Sequence, residues 1–159
     1  MTIAIYPGSF DPFTNGHLDI LKSGSEIFEK VIIAVSYNVN KEGFLPIAER
    51  VDLIKKCVNK FPNVEVDTYQ GLTVDYAKTK GAQVLLRGLR TSFDFEYELQ
   101  LSQTNNALNK DLKTVFLITK PEYNFISSSM VREILANNGD ISKFVPEEVD
   151  TFLKSKYGI

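Results

Sequence analysis

Short apolar runs alternate with stretches of helical periodicity along this chain. Five runs predict strands: Ile3–Tyr6, Val31–Ser36, Val64–Thr68, Val84–Arg87 and Thr114–Ile118. Between them the pattern predicts helices over about 15–29, 46–60, 73–80 and 94–109, with two more after the last strand, at about 128–137 and 146–156. The second helix is the clearest. Ile47, Val51, Ile54, Val58 and Phe61 recur at helical spacing, Pro46 suits the first helical position, and Glu49 suits the first turn. Pro146 marks another helix start in the same way.

Strands alternating with helices imply βαβ units with right-handed crossovers. The expected fold class is α/β: a Rossmann-like, doubly wound, five-stranded parallel sheet with helices on both faces and C-terminal helices beyond it. No repeat, low-complexity tract or long linker divides the chain, so residues 1–159 are expected to form a single domain. Ligands of such sheets bind beyond the carboxyl ends of the strands. Five segments fall there: Gly8 to His17, Lys41, Gly71 to Thr73, Arg87 to Arg90, and Tyr123 to Ser129.

Charge and composition narrow the classes. The net charge is −2, whereas a general nucleic-acid or membrane-surface binder carries a basic excess. No apolar run is long enough to span a membrane. Met1-Thr-Ile-Ala-Ile5 reads as strand rather than signal peptide. The single cysteine, Cys57, cannot form an intrachain disulfide and suits a reducing cytoplasm. It lies in an amphipathic helix and reads as an inert, buried or half-buried thiol. An anionic small molecule stays open as substrate, because it needs only a few cations focused in a cleft.

The only histidine, His17, ends the run Tyr6-Pro-Gly-Ser-Phe-Asp-Pro-Phe-Thr-Asn-Gly-His17. That run leaves the first strand and enters a helix. Its turn glycines let backbone amides approach a phosphate, and the helix start offers free N–H groups to an anion. The plainer reading is a strand-to-helix turn with a surface histidine, and the glycine spacing matches neither common phosphate loop. Ile126-Ser-Ser-Ser129 opens a second helix. One serine serves as its N-cap, and three in succession exceed that need. Arg132 follows one turn on. Two such helix starts in one small α/β chain point to a nucleotide enzyme.

Arg87-Gly-Leu-Arg90 ends the fourth strand. Guanidinium suits phosphate, and two of them can face two anionic groups. The alternative is an arginine paired with Glu96 or Glu98. Lys41 and Glu98 each also read as ordinary solvated side chains. No His/Cys cluster offers a zinc site, and one histidine leaves no nucleophile triad.

Taken together, these residues resemble the nucleotidyltransferase superfamily marked by a (His/Thr)-x-Gly-His turn and an Ile-Ser-Ser-Thr/Ser-x-x-Arg helix start. Here they read Thr14-Asn-Gly-His17 and Ile126-Ser-Ser-Ser-Met-Val-Arg132. Within it the chain resembles the bacterial phosphopantetheine adenylyltransferase family from end to end. Pro-Gly-Ser-Phe-Asp-Pro, Glu49-Arg50, Arg87-Gly-Leu-Arg90, Asp94-Phe-Glu-Tyr-Glu98 and Tyr123-Asn-Phe-Ile-Ser-Ser-Ser129 follow in the family's order. It departs at Ser9, where many members carry threonine, at Pro46, and at Thr91-Ser-Phe93.

The resemblance implies adenylyl transfer from ATP to 4'-phosphopantetheine by direct in-line attack, giving 3'-dephospho-coenzyme A and pyrophosphate. It implies His17 as the catalytic donor to the α-phosphate, and Ser9, Lys41, Thr73 and Arg87 as contacts to the acceptor. It implies an ATP cradle of Ser9, Phe10, His17, Gly88, Leu89, Arg90, Glu98, Tyr123, Asn124, Phe125, Ile126, Ser127, Ser128 and Ser129. Mg2+ would be held mainly by the ATP phosphates, with no dedicated protein metal site. Coenzyme A is implied as a feedback ligand, the cytoplasm as location and a homohexamer as assembly. The rival expectations are a sister adenylyl- or cytidylyltransferase with another phosphorylated acceptor, and a nucleotide-binding module without turnover. A receiver-like domain is set aside, because strand two ends in Ser36-Tyr37-Asn38 with no carboxylate.

Overall fold

The computed structural model describes residues 1–159. Strands β1 (Ile3–Gly8), β2 (Lys30–Ser36), β3 (Val64–Tyr69), β4 (Val84–Leu89) and β5 (Lys113–Ile118) alternate with helices α1 (Asn15–Ile27), α2 (Ile47–Val58), α3 (Thr73–Thr79) and α4 (Ser92–Leu108). Helices α5 (Ser128–Ala136) and α6 (Glu147–Tyr157) follow. The strands form one sheet in the order β3-β2-β1-β4-β5, every neighbouring pair parallel, as the alternation of elements predicts. No helix is long and apolar enough to cross a membrane.

The side-chain alternation of the strands divides the core into two layers. Ala4, Val31, Ile33, Val35, Val84 and Leu86 face one side, under α1, α2, α5 and α6. Ile5, Ile32, Ala34 and Leu85 face the other, where Val74 and Ala77 of α3 cover them. Helix α1 comes close to the sheet at Gly24, where an added Cβ would lie 2.6 Å from Leu86 Cδ2.

Strands β1 and β4 mark the point where the strand order reverses. Their register covers only Ala4↔Val84 and Ile5↔Leu85, whereas β1 and β2 pair from Ile3 to Gly8. Beyond Leu85 the two strands therefore part, and a crevice opens at their carboxyl ends. This is where a doubly wound sheet takes its ligand. Beyond the splay the strands are joined through a side chain, the Arg87 guanidinium donating to the Pro7 carbonyl at 2.9 Å.

Two features differ from the sequence reading. Pro7 and Gly8 read as turn residues but continue β1, because β2 supplies partners at Ala34 and Val35. Pro46 and Pro146 occupy the N-cap positions of α2 and α6, one residue ahead of the helical position expected for them.

Candidate active site

The crevice encloses about 310 Å³ and is lined mostly by polar residues. Of the expected site residues, Ser9, Phe10, His17, Arg87, Gly88, Arg90, Glu98, Ile126, Ser127 and Ser128 line it. Lys41 does not. It sits on the exposed loop between β2 and α2, in an adjoining cleft of about 340 Å³ that shares Ser9 with the first. Thr73 begins α3, outside both clefts, and its hydroxyl bonds the Tyr69 hydroxyl at 2.8 Å. Leu89, Tyr123, Asn124, Phe125 and Ser129 lie outside the lining of the crevice. The Phe125 ring stands edge-on to Phe144, and the Ser129 hydroxyl accepts from Arg132 at 3.1 Å.

His17 is held by the start of its own helix. Thr14 is the N-cap, and its hydroxyl accepts the His17 backbone N–H at 3.3 Å. In return the Thr14 N–H donates to His17 Nδ1 at 3.0 Å. The imidazole thus takes the place a glutamate fills in an ordinary capping box. Nδ1 is an acceptor here, so the ring proton resides on Nε2. Phe13 stacks on the ring at 5.5 Å and Phe10 meets it edge-on at 5.0 Å. Burial, and then the charges of Arg90 and Arg87, lower the His17 pKa to about 3. The group is a neutral N–H donor across the physiological range, and the surface-histidine reading fails.

Phe10 has φ 48, a left-handed backbone that a bulky residue adopts only under constraint. Its ring is buried between Tyr6 and Phe13, so the loop turns sharply around it. What Phe10 can offer a ligand is its backbone.

Arg87 in β4 and Arg90 just past its end are each oriented by a carboxylate. Arg87 Nε and Nη2 donate to Glu98 at 2.8 and 2.5 Å in a fork-to-fork pair. Burial opposes the Arg87 charge, but Glu98 more than offsets it and raises the pKa above the ordinary arginine value. Glu98 is only 6% exposed, so it is not a solvated helix face. With its oxygens taken by Arg87 it serves as an anchor rather than a contact for phosphate. Arg90 is paired with Asp94 in the same way, Nε to Oδ2 at 3.0 Å, and its Nη1 donates to the Ile126 carbonyl at 2.8 Å.

The start of α5 forms another wall of the crevice. Ser127 is its N-cap and accepts from the Met130 N–H at 3.1 Å, so one of the three serines caps as expected. Ser128 donates to the Pro12 carbonyl at 2.8 Å, and Arg132 to the Asp11 carbonyl at 2.7 Å. These bonds tie α5 to the loop that leads into the helix of His17. The starts of α1 and α5 both contribute to the crevice, a combination suited to a polyanion.

Several members of this arrangement were not legible as site residues. Asp94 fixes Arg90, Thr14 fixes His17, and Asp11 accepts the N–H groups of Phe44 and Leu45 at 2.7 and 2.8 Å. Arg50 donates to the Ser9 carbonyl at 2.8 Å. The Thr14-x-x-His17 spacing carries a capping-box signal, once a histidine is admitted in place of the acid. The roles of Asp11 and Arg50 depend on partners more than 30 residues away and leave no local trace.

A cytidylyltransferase-like family model matches residues 5–134. The chain is 56% identical to phosphopantetheine adenylyltransferase of Crocosphaera subtropica, over 98% of this chain and 99% of that protein. It is 51% identical to the protein of the same name from Syntrophotalea carbinolica, over 98% of this chain and 93% of the other. The corresponding protein of Clostridium perfringens is 47% identical over 94% and 91%. Among solved structures, a protein of Vibrio parahaemolyticus provisionally designated a nicotinate-nucleotide adenylyltransferase superposes with a TM-score of 0.73. It covers 96% of this chain and 99% of its own at 20% identity, and so attests the fold.

Proposed function

This chain belongs to the phosphopantetheine adenylyltransferases, within the cytidylyltransferase-like family, and from that premise we propose how its crevice carries the reaction. The enzyme transfers the adenylyl group of ATP to 4'-phosphopantetheine, in coenzyme A biosynthesis. An oxygen of the acceptor phosphate attacks the α-phosphorus, the bond to the β-phosphate breaks, and pyrophosphate leaves with the electron pair. The products are 3'-dephospho-coenzyme A and pyrophosphate.

One observation carries the assignment of roles: the Thr14 N–H on Nδ1 fixes His17 as an Nε2–H donor inside a crevice with two arginines and two helix starts. Negative charge builds on the α-phosphate oxygens in the transition state, and a preorganised donor is worth most there. Arg90, Gly88 and the Ile126–Ser128 segment form the ATP side, and Glu98, expected there, acts instead on the acceptor side by orienting Arg87. Arg87, Ser9 and Lys41 hold the acceptor phosphate in line, and Ser9, on the border of the two clefts, meets both substrates. Thr73, at the start of α3, is assigned to the pantetheine arm.

The carboxylates of the crevice, Asp94 and Glu98, are committed to Arg90 and Arg87. They form no cage for a divalent ion, so Mg2+ enters with the ATP phosphates and no step is assigned to it. Coenzyme A carries the product's skeleton and would compete for the same crevice. Phe93, Phe95, Tyr97 and Leu99 of α4 and Ile118 of the edge strand β5 are exposed, an amount of apolar surface suited to subunit contact in a homohexamer. A stable monomer in sedimentation would contradict that assembly. A cytoplasmic setting suits the lone free thiol of Cys57, which is buried.

The test is pyrophosphate release from ATP and Mg2+ with 4'-phosphopantetheine or nicotinate mononucleotide, beside His17→Ala. Turnover with phosphopantetheine alone, falling by ~10² or more in the variant, is expected. Turnover with the mononucleotide instead would transfer the assignment to a sister enzyme. Nucleotide binding without turnover would reduce the protein to a binding module.

A further inference from the structure

The loop 38–45, which carries Lys41, has little to hold it from within. Its internal hydrogen bonds are Lys41 N–H to the Asn38 carbonyl at 3.1 Å and Asn40 N–H to Asn38 Oδ1 at 2.9 Å. Residues 38–43 are exposed. A lysine on such a loop must be ordered from outside, or an entropic cost falls on every acceptor it binds.

The loop is fastened from outside, on two sides. On the inner side the Asp11 carboxylate accepts the Phe44 and Leu45 N–H groups, one on each oxygen. On the outer side the Phe44 ring lies against Tyr157 at the end of α6, with centroids 5.5 Å apart and planes within 12°. One residue earlier, Lys156 Nζ meets Glu49 Oε2 at 2.6 Å in the first turn of α2, just past the loop. The end of α6 thus grips the C-terminal flank of the loop twice, at Phe44 and just beyond it at Glu49.

We infer that Tyr157 and Lys156 are positioning residues for the acceptor: the end of α6 holds the Lys41 loop against Asp11, and so sets affinity for 4'-phosphopantetheine from outside the cleft. Tyr157 lines no cleft that Lys41 lines, and Lys156 lies outside the cleft of Ser9 and Lys41 but borders a neighbouring one of about 570 Å³ on the other side of the loop. The consequence is confined to one substrate. The ATP side is built on α1, β4 and α5, which do not depend on this stack. The inference rests on Lys41 as the acceptor's ligand, as proposed above.

Steady-state kinetics of Tyr157→Ala, Tyr157→Phe and Lys41→Ala test it. Tyr157 is 45% exposed, so its truncation leaves the core intact. Tyr157→Ala is expected to raise KM for 4'-phosphopantetheine about three- to ten-fold, the equivalent of one lost aromatic pair, with KM for ATP unmoved. Tyr157→Phe keeps the ring and is expected to keep the wild-type KM. Lys156→Ala gives a second, smaller rise of the same kind. An unchanged acceptor KM in Tyr157→Ala, or a parallel rise in both KM values, would overturn the inference. A Lys41→Ala variant with wild-type acceptor KM would instead overturn the role given to Lys41, which the Tyr157 variants do not decide.

Discussion

Thr14 and His17 cap each other: the Thr14 N–H donates to Nδ1 at 3.0 Å while the Thr14 hydroxyl accepts from the His17 N–H at 3.3 Å. Folding of the first turn of α1 and choice of the imidazole tautomer are therefore one event. The ring is pinned by the backbone, where many catalytic histidines are pinned by an acid.

The pinned ring has a signature in the pH dependence of stability. An unfolded histidine titrates near ~6.5, and the folded one near about 3. Between those values the unfolded state binds the extra proton, so stability rises with pH across this window and is lost on acidification from about 6.5 downward. His17→Gln removes this contribution. Thermal unfolding between pH 7 and 4 is expected to fall less steeply in the variant than in the wild type. Parallel curves would show that His17 does not titrate as its surroundings dictate.

Glu98→Gln tests the anchor of Arg87. The substitution keeps the volume but leaves a largely buried guanidinium without its counter-charge. Breaking a fully buried pair costs about 3–5 kcal/mol, and the partial exposure of Arg87 discounts that to about 2. Glu96→Gln, on the exposed face of the same helix, is expected to stay within about 0.5 kcal/mol. Urea denaturation of both variants, with kcat/KM for each, gives the comparison. Equal effects at the two positions would remove Glu98 from its anchoring role.

Gly24→Ala sets two effects of opposite sign against each other. Alanine favours a helix interior by about 1 kcal/mol over glycine. The new methyl would sit 2.6 Å from Leu86 Cδ2, a side chain with no exposure and little room to yield. Overpacking of this kind costs about 1–3 kcal/mol, so the variant is expected to be less stable by about 1 kcal/mol. A urea midpoint above that of the wild type would mean that Leu86 repacks freely.

The sheet was legible because its strands are runs of apolar, β-branched residues with turn signals between them. The limits of β1 were not, because Pro7 and Gly8 signal a turn locally while the ladder to β2 overrides them. Helix α4, expected over about 94–109, runs from Ser92 to Leu108 against a local strand-like pattern. Phe93, Phe95, Tyr97, Leu99 and Leu101 alternate as a strand would, yet the segment is helical and leaves the first four exposed. Its Thr91 cap and the Glu98–Arg87 pair hold it in place. At the site, residue types announced themselves but their partners did not. Glu98 reads alike whether it faces water or an arginine, and only the position of β4 beside α4 decides between them.

Ser128 and Arg132 reach carbonyls 116 and 121 residues earlier in the chain. During synthesis the first loop, Ser9 to Thr14, leaves the ribosome long before the segment that completes the wall beside it. A nascent or truncated chain ending before α5 therefore carries every residue of the first loop but lacks the wall, and the Ser128 and Arg132 bonds, that close the crevice over it. Once the chain is complete, a nucleotide seated there staples its two ends together. Protection from proteases on adding ATP should then extend well beyond the residues that touch it.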